Sequence, residues 1–144
     1  MQRVIQFDFK PNTRNNIILS SLTYASSKLW NVANYERINW KRESGLKYPD
    51  WYDQKSRLKG DFWYKNLPSQ SAQELLKQLD ESWRSYYRLR NNNGTRNPNP
   101  PGYKHSNFNL RFLNNGFVVS DEKIRLTIPP QHIKRRIKLD YLYL

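Results

Sequence analysis

The 144 residues carry 25 Lys and Arg against 12 Asp and Glu, a formal charge of +13, with 37% hydrophobic and 15% aromatic residues. That composition excludes an acidic disordered tail, and the lack of cysteine excludes a disulfide, a thiolate nucleophile, a Cys-type zinc site and an iron–sulfur cluster. No run approaches the roughly 18 apolar residues of a membrane span, and Met1-Gln2-Arg3-Val4-Ile5 has no signal-peptide core, so a cytoplasmic, nucleoid-associated protein with no membrane partner is expected.

In chain order, Ile5, Phe7 and Phe9 alternate with Gln6, Asp8 and Lys10, which predicts a half-buried strand ended by Pro11-Asn12. Asn12 or Thr13 can cap a following helix. Ile18, Leu22, Ala25, Leu29 and Val32 recur at helical spacing and predict a long helix to about Glu43, stopped by Ser44-Gly45. A shorter helix is expected from Pro49-Asp50, with Trp51, Tyr52, Lys55 and Leu58, followed by an aromatic connector, Asp61-Phe62-Trp63-Tyr64. Pro68-Ser69 opens a third helix, and Ser71-Ala72-Gln73-Glu74 has a capping-box pattern one turn later. Its stripe of Ala72, Leu75, Leu76, Leu79, Trp83 and Tyr86 predicts core packing, Trp83 included, while Arg84, Arg88 and Arg90 crowd its end.

The Asn-, Gly- and Pro-rich stretch 91–102 suits neither helix nor central strand and reads as a linker. Beyond it Phe108, Leu110 and Phe112 alternate, Asn115-Gly116 signals a hairpin, and Phe117–Val119, Ile124–Ile128 and Ile137–Tyr143 read as further strands. The last alternation is still open at Leu144, which predicts a truncation. A lone N-terminal strand needs a sheet. The expected fold is therefore α+β: a small antiparallel β-barrel or curled sheet from residues 1–12 and 100–144, with a three-helix lobe and linker, 13–99, inserted.

Charge is uneven. Residues 82–139 hold twelve Lys and Arg against Asp121 and Glu122, a balance of +10, and no carboxylate occurs from Ser82 to Ser120. A single-sign field opposes compaction by self-repulsion, so it points to an anionic partner; a solvated basic face is the plainer alternative. Catalytic constellations are missing. His105 and His132 form no metal-binding pair, the carboxylates are scattered, Asp80-Glu81 reads as a solvated pair, and no phosphate loop occurs. No enzymatic activity, cofactor or metal is expected of this chain. A nucleic-acid surface remains, assigned to Arg84, Arg88, Tyr103, Lys104, Arg111 and Lys134-Arg135-Arg136. Arg84 and Arg88 are four apart and share a helical face. Tyr103 can stack on a base, and Arg111, between Leu110 and Phe112, points away from the core face. A solvated turn is the lesser alternative for the run at 134–136.

The motifs Leu67-Pro68-Ser69-Gln70-Ser71-Ala72-Gln73-Glu74-Leu75-Leu76, Leu79-Asp80-Glu81-Ser82-Trp83 and Asn99-Pro100-Pro101-Gly102-Tyr103-Lys104 resemble the N-terminal half of the TnpB (OrfB) family. These are transposon-encoded relatives of the type V CRISPR effectors. Tyr24, Lys28-Leu29-Trp30-Asn31 and Pro49-Asp50-Trp51-Tyr52 fit the same pattern, so the resemblance covers essentially the whole chain. It implies a wedge domain with an inserted helical recognition lobe, and guide RNA and DNA as partners of an RNA-guided DNA endonuclease. The RuvC-like carboxylates and zinc ribbon of that family do not occur in these 144 residues, and Gly102 stands where the family often has arginine. The competing readings are a stand-alone DNA-binding regulator from a truncated transposase gene, and a non-binding remnant that self-associates through exposed strand edges in place of a missing nuclease half.

Overall fold

The computed structural model describes residues 3–6, 8, 10–92, 97–129 and 141–143. Asn12 lies in extended backbone and accepts the Asn15 amide at 2.8 Å, which caps α1 (Thr13–Asn39). Leu22, Ala25 and Leu29 of its predicted stripe are buried, Ile18 and Val32 are partly so, and Trp30, Ala33 and Arg37 are buried beside them. The helix ends before the expected Glu43. Trp40 turns out of it with ψ 134°, and its indole donates to the Leu46 carbonyl at 2.9 Å. The Gly45 stop, at φ +73°, closes a separate 3-10 turn, Arg42–Ser44, instead.

Asp50 caps α2 (Trp51–Leu58) by accepting the Asp53 amide at 2.8 Å, and that bond holds its carboxyl below the ordinary range. The aromatic connector is itself a short helix, α3 (Phe62–Lys65), because the Asp61 side chain accepts from the amides of Trp63 and Tyr64. Helix α4 (Ser69–Arg90) buries Ala72, Leu75, Leu76, Leu79 and Trp83 as its spacing predicted. The capping box does not operate. The helix starts ahead of Ser71, which is buried inside its first turn, and the cap position falls to Pro68, which has no side-chain acceptor. The described helical region thus holds four α-helices rather than three.

Helix α1 packs on α3 and α4, and α2 packs on α4. Leu22, Leu29, Leu76 and Leu79 are fully enclosed at the centre, each contributing about 1.5–3 kcal/mol by burial. Leu126 and Ile128 join the same core from the sheet. The sheet has three antiparallel strands in the order β1 (Phe117–Ser120), β2 (Lys123–Thr127), β3 (Tyr141–Tyr143). The tight β1–β2 turn passes through Asp121 at φ +24°. The fold is mixed α and β with an open sheet among the described residues.

Two sequence expectations change here. Residues 3–6 and 8 form no strand, and Val4 and Ile5 are 96% and 80% exposed; Phe7 and Phe9 lie outside the described residues. Alternation fixes which face a side chain would take, but pairing also needs an edge within reach. Residues 108–112 likewise enter no sheet. Phe108 and Asn109 bond to α1 instead, and Arg111 pairs with Glu74 of α4. No helix among the described residues is long and apolar enough to cross a membrane.

Candidate nucleic-acid interface

The stretch 101–109 runs antiparallel along α1 and is held by a ladder of side chains from that helix. Asn34 donates to the Pro101 carbonyl at 2.8 Å, and the Trp30 indole donates to that of Gly102 at 2.9 Å. Asn31 reads both backbone groups of Lys104, donating to its carbonyl at 2.9 Å and accepting its amide at 2.8 Å. Ser27 donates to the Ser106 carbonyl at 3.0 Å and Ser26 to that of Asn109 at 2.8 Å. The Thr23 hydroxyl reaches the Asn107 side chain at 2.9 Å, and the Thr23 carbonyl accepts the Phe108 amide at 3.0 Å. The Pro-rich run suits this arrangement, since Pro101 is used only through its carbonyl.

Beneath the ladder lies a buried polar network. The Arg37 guanidinium, 2% exposed, donates to Asp80 Oδ1 at 2.9 Å and to Gln54 Oε1 at 3.0 Å. Gln54 donates onward to the Ala33 carbonyl at 2.8 Å. Asp80, 4% exposed, also accepts the Arg84 guanidinium at 2.8 Å and the Trp51 amide at 3.3 Å. Asn34 also accepts the Trp83 indole at 2.8 Å, which ties the ladder to α4. Tyr48 stands beside Arg37, its hydroxyl at 3.5 Å; burial pushes that phenol up to about 12 although the guanidinium opposes the shift. Asp80 is therefore no solvated carboxylate. Its exposed neighbour Glu81 fits that description.

An open groove of about 600 Å³ lies between α4 and the clasped segment, with Gln78, Glu81, Ser85, Asn99, Lys104 and Arg111 on its walls beside the rings of Trp30, Tyr86 and Phe108. The Lys104 ammonium sits 4.7 Å above the Trp30 ring and 4.6 Å above that of Phe108, so the aromatic faces hold its charge in place. Arg111 is 3.6 Å from Glu74 yet 58% exposed. Tyr103 is exposed but is not among the groove-lining residues. The structure thus brings Lys104 and Arg111 together. Arg84 and Arg88 do not line the groove. With 3.6 residues per turn they occupy the next face of α4, beyond Glu81, where Arg84 is ion-paired to Asp80 while still 69% exposed and Arg88 is exposed in the last turn. Lys134, Arg135 and Arg136 lie outside the described residues.

Sequence reasoning missed Asn31, Asn34, Ser26, Ser27 and Thr23 as the residues that position Lys104, and missed Gln78, Ser85 and Asn99 as groove walls. A signal existed for Ser26, which falls at the same helical spacing as Leu22, Leu29 and Ala33, as does Arg37 of the buried network. Their polar character hid it. Among the described residues no three His, Asp or Glu side chains converge as a metal site would require. Comparison with protein-family models, with curated proteins and with solved structures returns no match.

Proposed function

We propose that the chain binds nucleic acid through the groove between α4 and residues 99–111, as the wedge-and-recognition portion of a TnpB-like RNA-guided nuclease, with guide RNA and DNA as partners and no cutting site of its own. The observation that carries this reading is the groove itself: two cations against the single carboxylate of Glu81, with amide and hydroxyl side chains along one open channel, on a chain with a +10 excess in residues 82–139. Cations neutralise phosphates, and amide and hydroxyl side chains bond sugars and base edges. Arg88 and Arg84 extend the charge onto the adjoining face. In this reading the three-stranded sheet belongs to a wedge-like barrel, the protein works in the cytoplasm at the nucleoid, and a nuclease half is a partner.

Binding of a structured RNA and of single-stranded DNA across a salt series tests the proposal. Arg88→Ala with Arg111→Ala should weaken binding to all sequences and flatten the log–log salt slope by about two. A Cβ at Gly102 would meet nothing within 4 Å, so Gly102→Arg should add a phosphate contact and steepen the slope by about one. Unchanged slopes in both variants would reject the groove. A second reading, self-association, draws on β1: it is an edge strand of the sheet, and Val118 and Val119 on it are exposed. Concentration-dependent sedimentation that Val119→Lys abolishes would favour it.

A further inference from the structure

None of the three rings on the groove walls stands free. Trp30 is 3% exposed, and its ring packs on that of Phe108 with centroids 5.0 Å apart, a contact distance that leaves no space for a base between them. Phe108 is packed on the core, and the Lys104 ammonium lies over its ring at 4.6 Å. Tyr86, also packed on the core, meets Trp83 edge-on at 5.6 Å and Tyr87 at 5.2 Å. The well-exposed rings of Tyr52, Phe62 and Tyr103 all lie outside the groove. What the groove does offer is a fixed cation. Asn31 holds both backbone groups of Lys104, two rings seat its ammonium, and it makes no ion pair among the described residues. Arg111 comes from the same segment, whereas α4 brings Gln78, Ser82, Ser85 and the one carboxylate, Glu81, to the other wall. Phosphates are thereby steered toward Lys104 and Arg111.

We infer that the groove takes base-paired nucleic acid by its sugar–phosphate backbone, and that Lys104 is the residue that sets this preference. The inference rests on the nucleic-acid reading above and names the form of strand the groove admits. Proteins that hold unpaired strands draw much of their affinity from bases laid on open rings, and that contribution is missing here. Charge and hydrogen bonding remain, and a duplex is the denser target. It carries one phosphate charge per about 1.7 Å of axis, against about 3.4 Å for one strand. A cation already held in place meets that regular array with little further ordering cost. Lys104 therefore acts twice, as a phosphate contact and as the cover over Phe108. An RNA hairpin stem and a DNA duplex present the same backbone chemistry.

The test is an anisotropy titration of the full chain with an RNA hairpin, a DNA duplex and unpaired RNA and DNA strands of equal length, across a salt series. Paired probes should bind at least about tenfold more tightly than unpaired ones, since the stacking that would offset their lower charge density is absent. Lys104→Ala removes charge and cover together. Binding of paired probes should weaken and its log–log salt slope flatten by about one. Binding of unpaired strands should fall less, because Phe108 is uncovered, so the paired-to-unpaired ratio drops about tenfold. Lys104→Met keeps a side chain over Phe108 without the charge, so it should weaken paired binding alike but give unpaired strands no such relief. The wild-type comparison needs no substitution and decides the matter if a variant folds poorly. The tighter of hairpin and duplex identifies the source of the backbone. Unpaired probes that bind as tightly as paired ones, or a ratio that Lys104→Ala leaves unchanged, overturn the inference while the proposed function stands. No binding of any probe removes that function, and the inference with it.

Discussion

Between α1 and α4 the contact is built on Leu22, Leu29, Leu76 and Leu79, side chains without a polar atom and almost without exposure. Between α1 and residues 101–109 it is built on Thr23, Ser26, Ser27, Asn31 and Asn34, each bonded to the segment through a hydroxyl or an amide. One helix thus uses two kinds of adhesion on two faces. Apolar burial is non-directional and depends on volume, so it fixes that the helices meet. Hydrogen bonds have narrow geometry, so they fix the register in which the segment lies. Arg37 and Asn34 sit where the two faces join, and the polar groups there are enclosed as deeply as the leucines.

The largest effect is expected where that junction is broken from the helical side. Asp80→Ala leaves the Arg37 guanidinium buried without its carboxylate and should cost about 3–5 kcal/mol in urea unfolding. Glu81→Ala, one residue on and exposed, should stay within about 0.5 kcal/mol. Equal costs at the two sites would remove the distinction between network and surface.

Smaller effects separate the ladder from the core. Asn34→Ala strands the Trp83 indole and the Pro101 carbonyl together and should cost about 2–3 kcal/mol. Asn31→Ala touches only the Lys104 backbone and should cost about 1–2 kcal/mol. Limited proteolysis sharpens the comparison: Asn31→Ala should speed cleavage within 101–109 while helical circular dichroism is unchanged. Loss of helix in that variant would show that the segment is part of the helical core.

The smallest effect is a pH dependence. Tyr48 holds its proton to about 12 in the folded chain against 10.0 ordinarily. Between these values the unfolded tyrosine has lost a proton that the folded one keeps, so the unfolded state binds fewer protons and stability falls as pH rises. Unfolding curves from pH 9 to 12, with tyrosinate absorbance as the monitor, should show that slope, and Tyr48→Phe should flatten it.

Much of the helical region was legible. The 3.6-residue recurrence from Leu22 to Leu29 and from Ala72 to Trp83 marked the buried faces, and Asn12 and Asp50 cap the helices that their positions announced. The misreadings share a cause. Phe108, Leu110 and Phe112 alternate because all three pack against the core, and such alternation arises whether or not the segment pairs in a sheet. Asp80 and Arg37 were hidden because a charged residue on an apolar stripe declares nothing about a partner 43 positions away. For the groove, charge located Lys104 and Arg111, but the separation of Arg84 and Arg88 from it depends on how α4 is rotated against the segment, which local pattern does not encode.

The ladder also determines which positions along 101–109 are free to drift. Apart from Asn107, the segment meets α1 through carbonyls and two amides, that of Lys104 on the Asn31 side chain and that of Phe108 on the Thr23 backbone carbonyl. Proline is therefore forbidden at 104 and 108, where it would erase a donor, and welcome at 101, where none is used. Lys104 and Phe108 are further tied by their cation–ring contact. Tyr103 and His105 are exposed between these fixed points. A lineage can exchange both without disturbing the register of the strip, so the outward side chains can diversify while α1 keeps its asparagines and serines.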